Sequence, residues 1–177
     1  MDFRINRILS MIIDHITMII VMFPIAILVF FLLIFLVKDT IEIIFLDIHG
    51  YALLFSIYVI YFLKDNWKGK SLGKRIIGLQ VVDRKTDETA SSFQCFFRNL
   101  FIVLWPLEVI VTLFSPKRRI GDLFANTKIV EAEKESPKSL LGDIKNTKVN
   151  VMQVFLITLV TVPFCYLLAY IMVSINS

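Results

Sequence analysis

The chain has 177 residues, 57% of them hydrophobic and 13% aromatic, and its mean hydropathy is +0.76. Soluble domains contain about 45–50% apolar residues, so this composition excludes an ordinary soluble domain, a disordered chain and a collagen-like or disulfide-built scaffold. The net charge of +4 and a pI near 9.1 would suit a nucleic-acid binder. The apolar residues, however, gather in blocks around 16–37, 51–63, 99–114 and 151–173, separated by stretches that hold most of the charge. That pattern describes a multi-spanning membrane protein with no nucleic-acid partner, in which a basic excess reports topology before partners.

Arg4 and Arg7 precede the first block. The run 16–37 is too long for a signal-peptide core of about 7–15 residues, so a retained first helix is expected from Phe3 to Val37, kinked at Pro24. Lys38, Asp39 and Thr40 make a turn, and a second helix follows over about 41–63. Residues 64–92 are charged and contain glycine, with a predicted strand at 76–82 and a turn at 83–87. A second β-like piece is 127–130. Between them, 93–114 is capped by Ser91 or Ser92 and carries Arg98, Pro106 and Glu108. Its uninterrupted part from Asn99 to Phe114 covers only about 24 Å as a helix, short of a hydrocarbon core of about 30 Å. Residues 132–148 read as a cytoplasmic linker and 149–177 as a C-terminal transmembrane helix containing Pro163.

Basic residues decide the topology. Of 19 Lys and Arg, eight fall in 64–98 and eight in 117–148. A fully spanning third segment would separate these groups and violate the positive-inside rule. If 93–114 enters and returns near Trp105 and Pro106, every basic residue but Lys38 is cytoplasmic, and the two β-like pieces share a side and can pair. The expected fold is therefore an all-α membrane bundle of three full spans plus one re-entrant or tilted segment, with a short cytoplasmic β-element and a cytoplasmic N-terminus. Four full spans is the alternative.

Ionisable residues inside apolar segments are costly and pair or face water. Arg7 and Asp14 lie on one helix face about 10 Å apart along the axis, so each seeks a partner elsewhere. Asp122, following the basic run 117–119, is the expected partner of Arg7. Arg7, Asp14 and Asp122 thus form the candidate ion-binding or ion-pair network, with Arg98, Glu108, Asp47 and His49 as secondary candidates. Asp47 and His49 are two apart and do not share a helix face, which favours an interfacial cap over a metal site. Gly69, Lys70 and Ser71 look like the end of a phosphate loop, but Lys64 stands where that loop needs glycine. Basic clusters at 68–75 and 117–119 would attract anionic lipid headgroups. Cys95 and Cys165 read as reduced packing residues. No nucleophile elbow or zinc-protease motif occurs, so neither an enzyme nor a cofactor is expected.

Together these segments resemble the RDD family of bacterial and archaeal membrane proteins, named for one arginine and two aspartates. Arg7 and Asp14 match the first-helix spacing, although Ser10 stands where alanine is common. Residues 71–83 are similar to its Gly-Lys-x-x-x-Gly-x-x-Val-Val block, Arg98 and Asn99 to its Arg-Asn pair, and 119–127 to its Gly/His-Asp-x-x-Ala-x-Thr close. The resemblance covers 4–131 and leaves the last helix outside. It implies a plasma (inner) membrane location and, from the sodium/proton antiport proposed for some members, cation/proton transport with Asp14 as the exchanging carboxylate. The alternative is a non-catalytic accessory or scaffold subunit that binds a partner membrane protein. A transporter of this size would have to work as a homo-oligomer.

Overall fold

The computed structural model describes residues 2–36, 48–146 and 150–176. Asp47 and the expected turn at 38–40 lie outside these residues. Helix α1 runs from Phe3 to Leu36 with Pro24 inside it. The expected second helix continues in the described residues as α2 (Ile48–Ser56) and α3 (Tyr58–Phe62). At the break the Ile57 amide donates to the Leu54 carbonyl three residues back, and Ser56 Oγ donates to the Leu53 carbonyl at 2.6 Å. These contacts tighten the turn and interrupt the four-residue ladder. By packing, the chain forms two compact units, one of Met1–Thr17 with Phe62–Val149 and one of Met18–Tyr61 with Asn150–Ser177.

The second unit rests on α9 (Val151–Asn176), which packs against α2. Ile157, Thr161, Cys165 and Ala169 recur every four residues on α9 and are buried, whereas Phe155, Leu159, Leu167 and Tyr170 are exposed. A helix apolar on all sides with only one stripe covered is built for an apolar solvent. Within the described residues, α1 and α9 are the two helices long and apolar enough to cross a membrane.

The first unit holds the charged sequence. Helix α4 (Leu72–Ile77) ends at Gly78, whose φ of +85° turns the chain into strand β1 (Leu79–Asp83). The strand expected at 76–82 therefore begins three residues later, because Ile76 and Ile77 complete the helix and Gly78 supplies the left-handed turn that stops it. Strand β2 (Thr127–Glu131) pairs antiparallel with β1, setting Leu79 opposite Glu131, Val81 opposite Ile129 and Asp83 opposite Thr127. Alternation puts Leu79, Val81 and Ile129 on one buried face with Ala90 and Cys95.

Helix α5 (Ser92–Leu100) starts at Ser91 in a reciprocal capping box with Gln94. A 3₁₀ turn over Phe101–Leu104 follows, then α6 (Trp105–Phe114) with Pro106 in its first turn, where the missing N–H costs nothing. Helix α7 (Ile120–Phe124) leads into β2. The segment expected to be a linker instead carries α8 (Ser139–Asn146), and it is tied down by Arg75. That fully buried guanidinium pairs with Glu135, donates to Ser139 Oγ at 2.9 Å and meets Asp143 Oδ2 at 2.7 Å. Among the described residues the fold is mainly helical, with two candidate membrane-crossing helices and one two-stranded sheet.

Candidate functional site

On α1, Arg7, Ser10, Met11 and Asp14 follow the three-and-four spacing of one helix face, and all four are buried. That face carries the two charges toward the helices of the first unit. Arg7 Nη2 donates to Asp122 Oδ2 at 2.6 Å. Asp122 Oδ1 accepts from Arg98 Nε at 2.9 Å and from Thr127 Oγ1 at 3.0 Å, and Oδ2 also takes the Arg119 amide at 3.1 Å. Burial alone would raise this carboxyl, yet Arg98, Arg7 and Arg119 together hold it well below the usual carboxylate range.

Arg98 spans two carboxylates, because its Nη1 donates to Asp65 Oδ2 at 2.9 Å. Asn99 Nδ2 adds a second donor to that oxygen at 3.1 Å, and Lys74 Nζ lies 2.8 Å from Asp65 Oδ1. Against the cost of burial, Lys74, Arg98 and Lys64 keep Asp65 ionised well below its ordinary range.

Lys74 carries the chain on to Asp14. Its ammonium donates to Asp14 Oδ2 at 3.0 Å, beside Ser71 Oγ at 2.6 Å, while the Gly73 amide donates to Oδ1 at 2.8 Å. Lys64 Nζ stands 3.9 Å from the same Oδ2, and burial pushes its ammonium down. Charges of alternating sign thus run from Arg7 through Asp122, Arg98, Asp65 and Lys74 to Asp14. A side branch joins Arg119 to Glu108 at 2.9 Å and to Asn99 Oδ1 at 2.8 Å. Gly121 completes it, its amide donating to Glu108 Oε1 at 3.1 Å.

Two glycines let the helices close on these groups. A Cβ at Gly73 would sit 2.5 Å from the Ser10 carbonyl oxygen and 2.7 Å from Asp14 Oδ1. At Gly121 it would sit 2.0 Å from the Arg98 carbonyl oxygen. Such close approach is what an alternating ionic cluster needs, since buried charges are tolerated only when partners saturate them.

The structure brings Arg7, Asp14, Asp122, Arg98 and Glu108 into one cluster, but Arg7 and Asp14 are joined only through the intervening residues. His49 belongs to the second unit, where its Nδ1 lies 3.1 Å from the Tyr166 hydroxyl. Sequence reasoning missed Lys64, Asp65, Lys74, Arg119 and Asn99 as members. The usable signal was Lys64-Asp65 directly after an apolar helix, where a charged pair marks a boundary to be buried or solvated. Among the described residues no three or more His, Cys, Asp or Glu side chains are grouped to hold a metal ion.

Two helices long and apolar enough to cross a bilayer, joined in one chain to a compact unit that buries paired Arg and Asp side chains, suit a membrane protein. The chain belongs to the RDD family, a membrane family whose model matches residues 4–177. The match includes α9, which the motif resemblance left outside. No curated protein and no solved structure matches the chain.

Proposed function

We propose that the chain is a multi-pass plasma-membrane protein that serves as a non-catalytic accessory subunit, its ionic lattice locking the first unit into one shape for a partner membrane protein or a second copy. In this reading the N-terminus is cytoplasmic and three full spans accompany a re-entrant or tilted 93–114. The observation that carries it is saturation: both oxygens of Asp14 already accept donors, Oδ1 from Gly73 and Oδ2 from Ser71 and Lys74. A cation bound there would have to displace an ammonium group. Saturated buried networks specify a unique arrangement and are costly to break.

A second reading, cation/proton exchange, is favoured by one feature. Asp14 is bracketed by lysines, which can surrender a proton, whereas Asp122 is bracketed by arginines, which cannot. Proton and sodium flux into proteoliposomes separates the two. The accessory reading expects no flux from the wild type and a stoichiometric partner on mild purification. Flux by the wild type, abolished in an equally folded and incorporated Asp14→Asn variant, overturns it in favour of exchange.

A further inference from the structure

The two basic stretches, 68–75 and 117–119, spend their charges differently. Lys68 meets Asp143 at 2.7 Å, Lys70 meets Glu135 at 2.6 Å, Lys74 lies between Asp14 and Asp65, and Arg75 holds Glu135 and Asp143. Arg119 is buried against Glu108. That leaves Lys117, exposed, and Arg118, half-buried, in the turn between α6 and α7. Among the described residues no carboxylate pairs with either side chain, and Arg118 Nε is buried without a hydrogen-bond partner. Between Phe101 and Asn126 the acids are Glu108 and Asp122, both buried and paired to arginine. The turn itself is fixed, because the Lys117 carbonyl accepts from the Ile129 amide at 3.2 Å and from Arg7 Nη1 at 3.4 Å.

Helix α6 leads into this turn with two unlike faces. Glu108 and Thr112 are buried, whereas Leu107, Ile110 and Phe114 follow the three-and-four spacing of the opposite side and are exposed, Phe114 at 85%. The stripe is about 10 Å long and ends three residues before Lys117. We propose that α6 and the 115–118 turn bind one anionic phospholipid, its phosphate between Lys117 and Arg118 and an acyl chain along Leu107, Ile110 and Phe114. Charge complementarity selects this occupant: an apolar helix would leave both cations unmet, and a free phosphate would leave the stripe uncovered. Basic side chains beside an apolar surface lay their stems along it and hold their charge at headgroup level. The site draws on side chains outside the lattice, so it serves an accessory subunit and an exchanger alike.

The test is native mass spectrometry of the full chain in a neutral detergent, titrated with phosphatidylglycerol or with phosphatidylcholine of the same acyl chains. The wild type should retain one phosphatidylglycerol about thirtyfold more tightly than phosphatidylcholine, whose net charge is zero. Lys117→Gln combined with Arg118→Gln should bind the two lipids alike, Phe114→Ser should weaken both, and Lys68→Gln, whose cation already has Asp143, should keep the preference. Inorganic phosphate alone should not displace the lipid. The wild-type comparison is independent of how any variant folds. Equal retention of the two lipids by the wild type, a preference that survives the double variant, or displacement by phosphate alone overturns the proposal. So does a dimer that forms without lipid preference, which would give the stripe to a second copy.

Discussion

Replacing Asp122 by asparagine is the sharpest test of the lattice as a structural lock. The side chain keeps its shape but loses the charge that Arg7 meets at 2.6 Å and Arg98 at 2.9 Å, all three groups being buried. Removing one partner from a buried ion pair costs about 3–5 kcal/mol, because the remaining charge is left uncompensated. For a chain of this size each kcal/mol lowers the melting temperature by about 2–4 °C, so Asp122→Asn should melt about 6–20 °C below the wild type. Arg7→Met should cost less, since Asp122 then keeps Arg98, the Arg119 amide and Thr127. The double variant should melt above the additive expectation, with a coupling of about 0.5–3 kcal/mol. Thermal unfolding in detergent measures all three. Acid adds a second axis: Asp122 and Asp65 are held below their ordinary value of 3.8, so their contribution is present above about pH 4 and is lost as pH falls further. Asp122→Asn should show a shallower acid decline. A cost below about 1 kcal/mol, the scale of an exposed pair, or strict additivity would refute the lock.

Three further outcomes follow from the close contacts. Gly73→Ala places a methyl group 2.5 Å from the Ser10 carbonyl oxygen and 2.7 Å from Asp14 Oδ1, and should lower the folded yield more than Ala introduced at the open Gly142, as read by size-exclusion chromatography. Gly78→Ala forces a side chain into φ +85° with its Cβ 2.7 Å from the Ala132 carbonyl oxygen, a strain of about 1–3 kcal/mol visible as a lower melting temperature. Arg75→Met frees Glu135 and Asp143 from their shared partner, so limited proteolysis should cut 132–146 faster than in the wild type. Lys70 with Ser139 and Lys68 with Arg75 hold these two carboxyls below their ordinary values, so the wild-type clamp should likewise loosen as pH drops below about 4.5.

Hydropathy made α1 and α9 legible, because a long apolar run needs only its length to identify it. The β1–β2 pairing was legible from charge: only a topology that keeps both basic clusters on one side lets 79–83 meet 127–131. The start of β1 was misread because Ile76 and Ile77 are β-branched, and propensity yielded to the capped turn of α4 and the left-handed Gly78. Composition likewise misjudged 132–146, since mixed charges describe a solvated loop equally well until Arg75 is seen to be buried among them. The pair Arg7 and Asp122 could be guessed from scarcity, as an arginine facing an apolar environment must find a carboxylate. Lys64 and Asp65 left only the ambiguous signal of a charged pair after an apolar helix, and Lys74 left none, because lysines and aspartates at a helix boundary normally face water. Only the tertiary closure allowed by Gly73 and Gly121 turns those surface-type residues into interior ones.

The cationic lining beside Asp14 also constrains how any transport could work. A sodium ion at Asp14 would add a positive charge to a space already walled by Lys64, Lys74 and Arg98. Burial makes that added charge costly, so a cation can enter only if a positive charge leaves at the same time. Arginine cannot give up its proton, which leaves the two lysines that face Asp14 Oδ2. Lys64 is the better donor, being already pushed down by burial and 3.9 Å from Asp14 against 3.0 Å for Lys74. Exchange therefore predicts that adding sodium chloride to the detergent-solubilised protein in weak buffer releases one proton per chain, and that Lys64→Met releases none. Choline chloride serves as the control for the anion. The lock predicts no release from either protein, since no cation enters. One proton released by the wild type and none by Lys64→Met would refute the lock and make the Asp14–Lys64 pair the centre of a transporter.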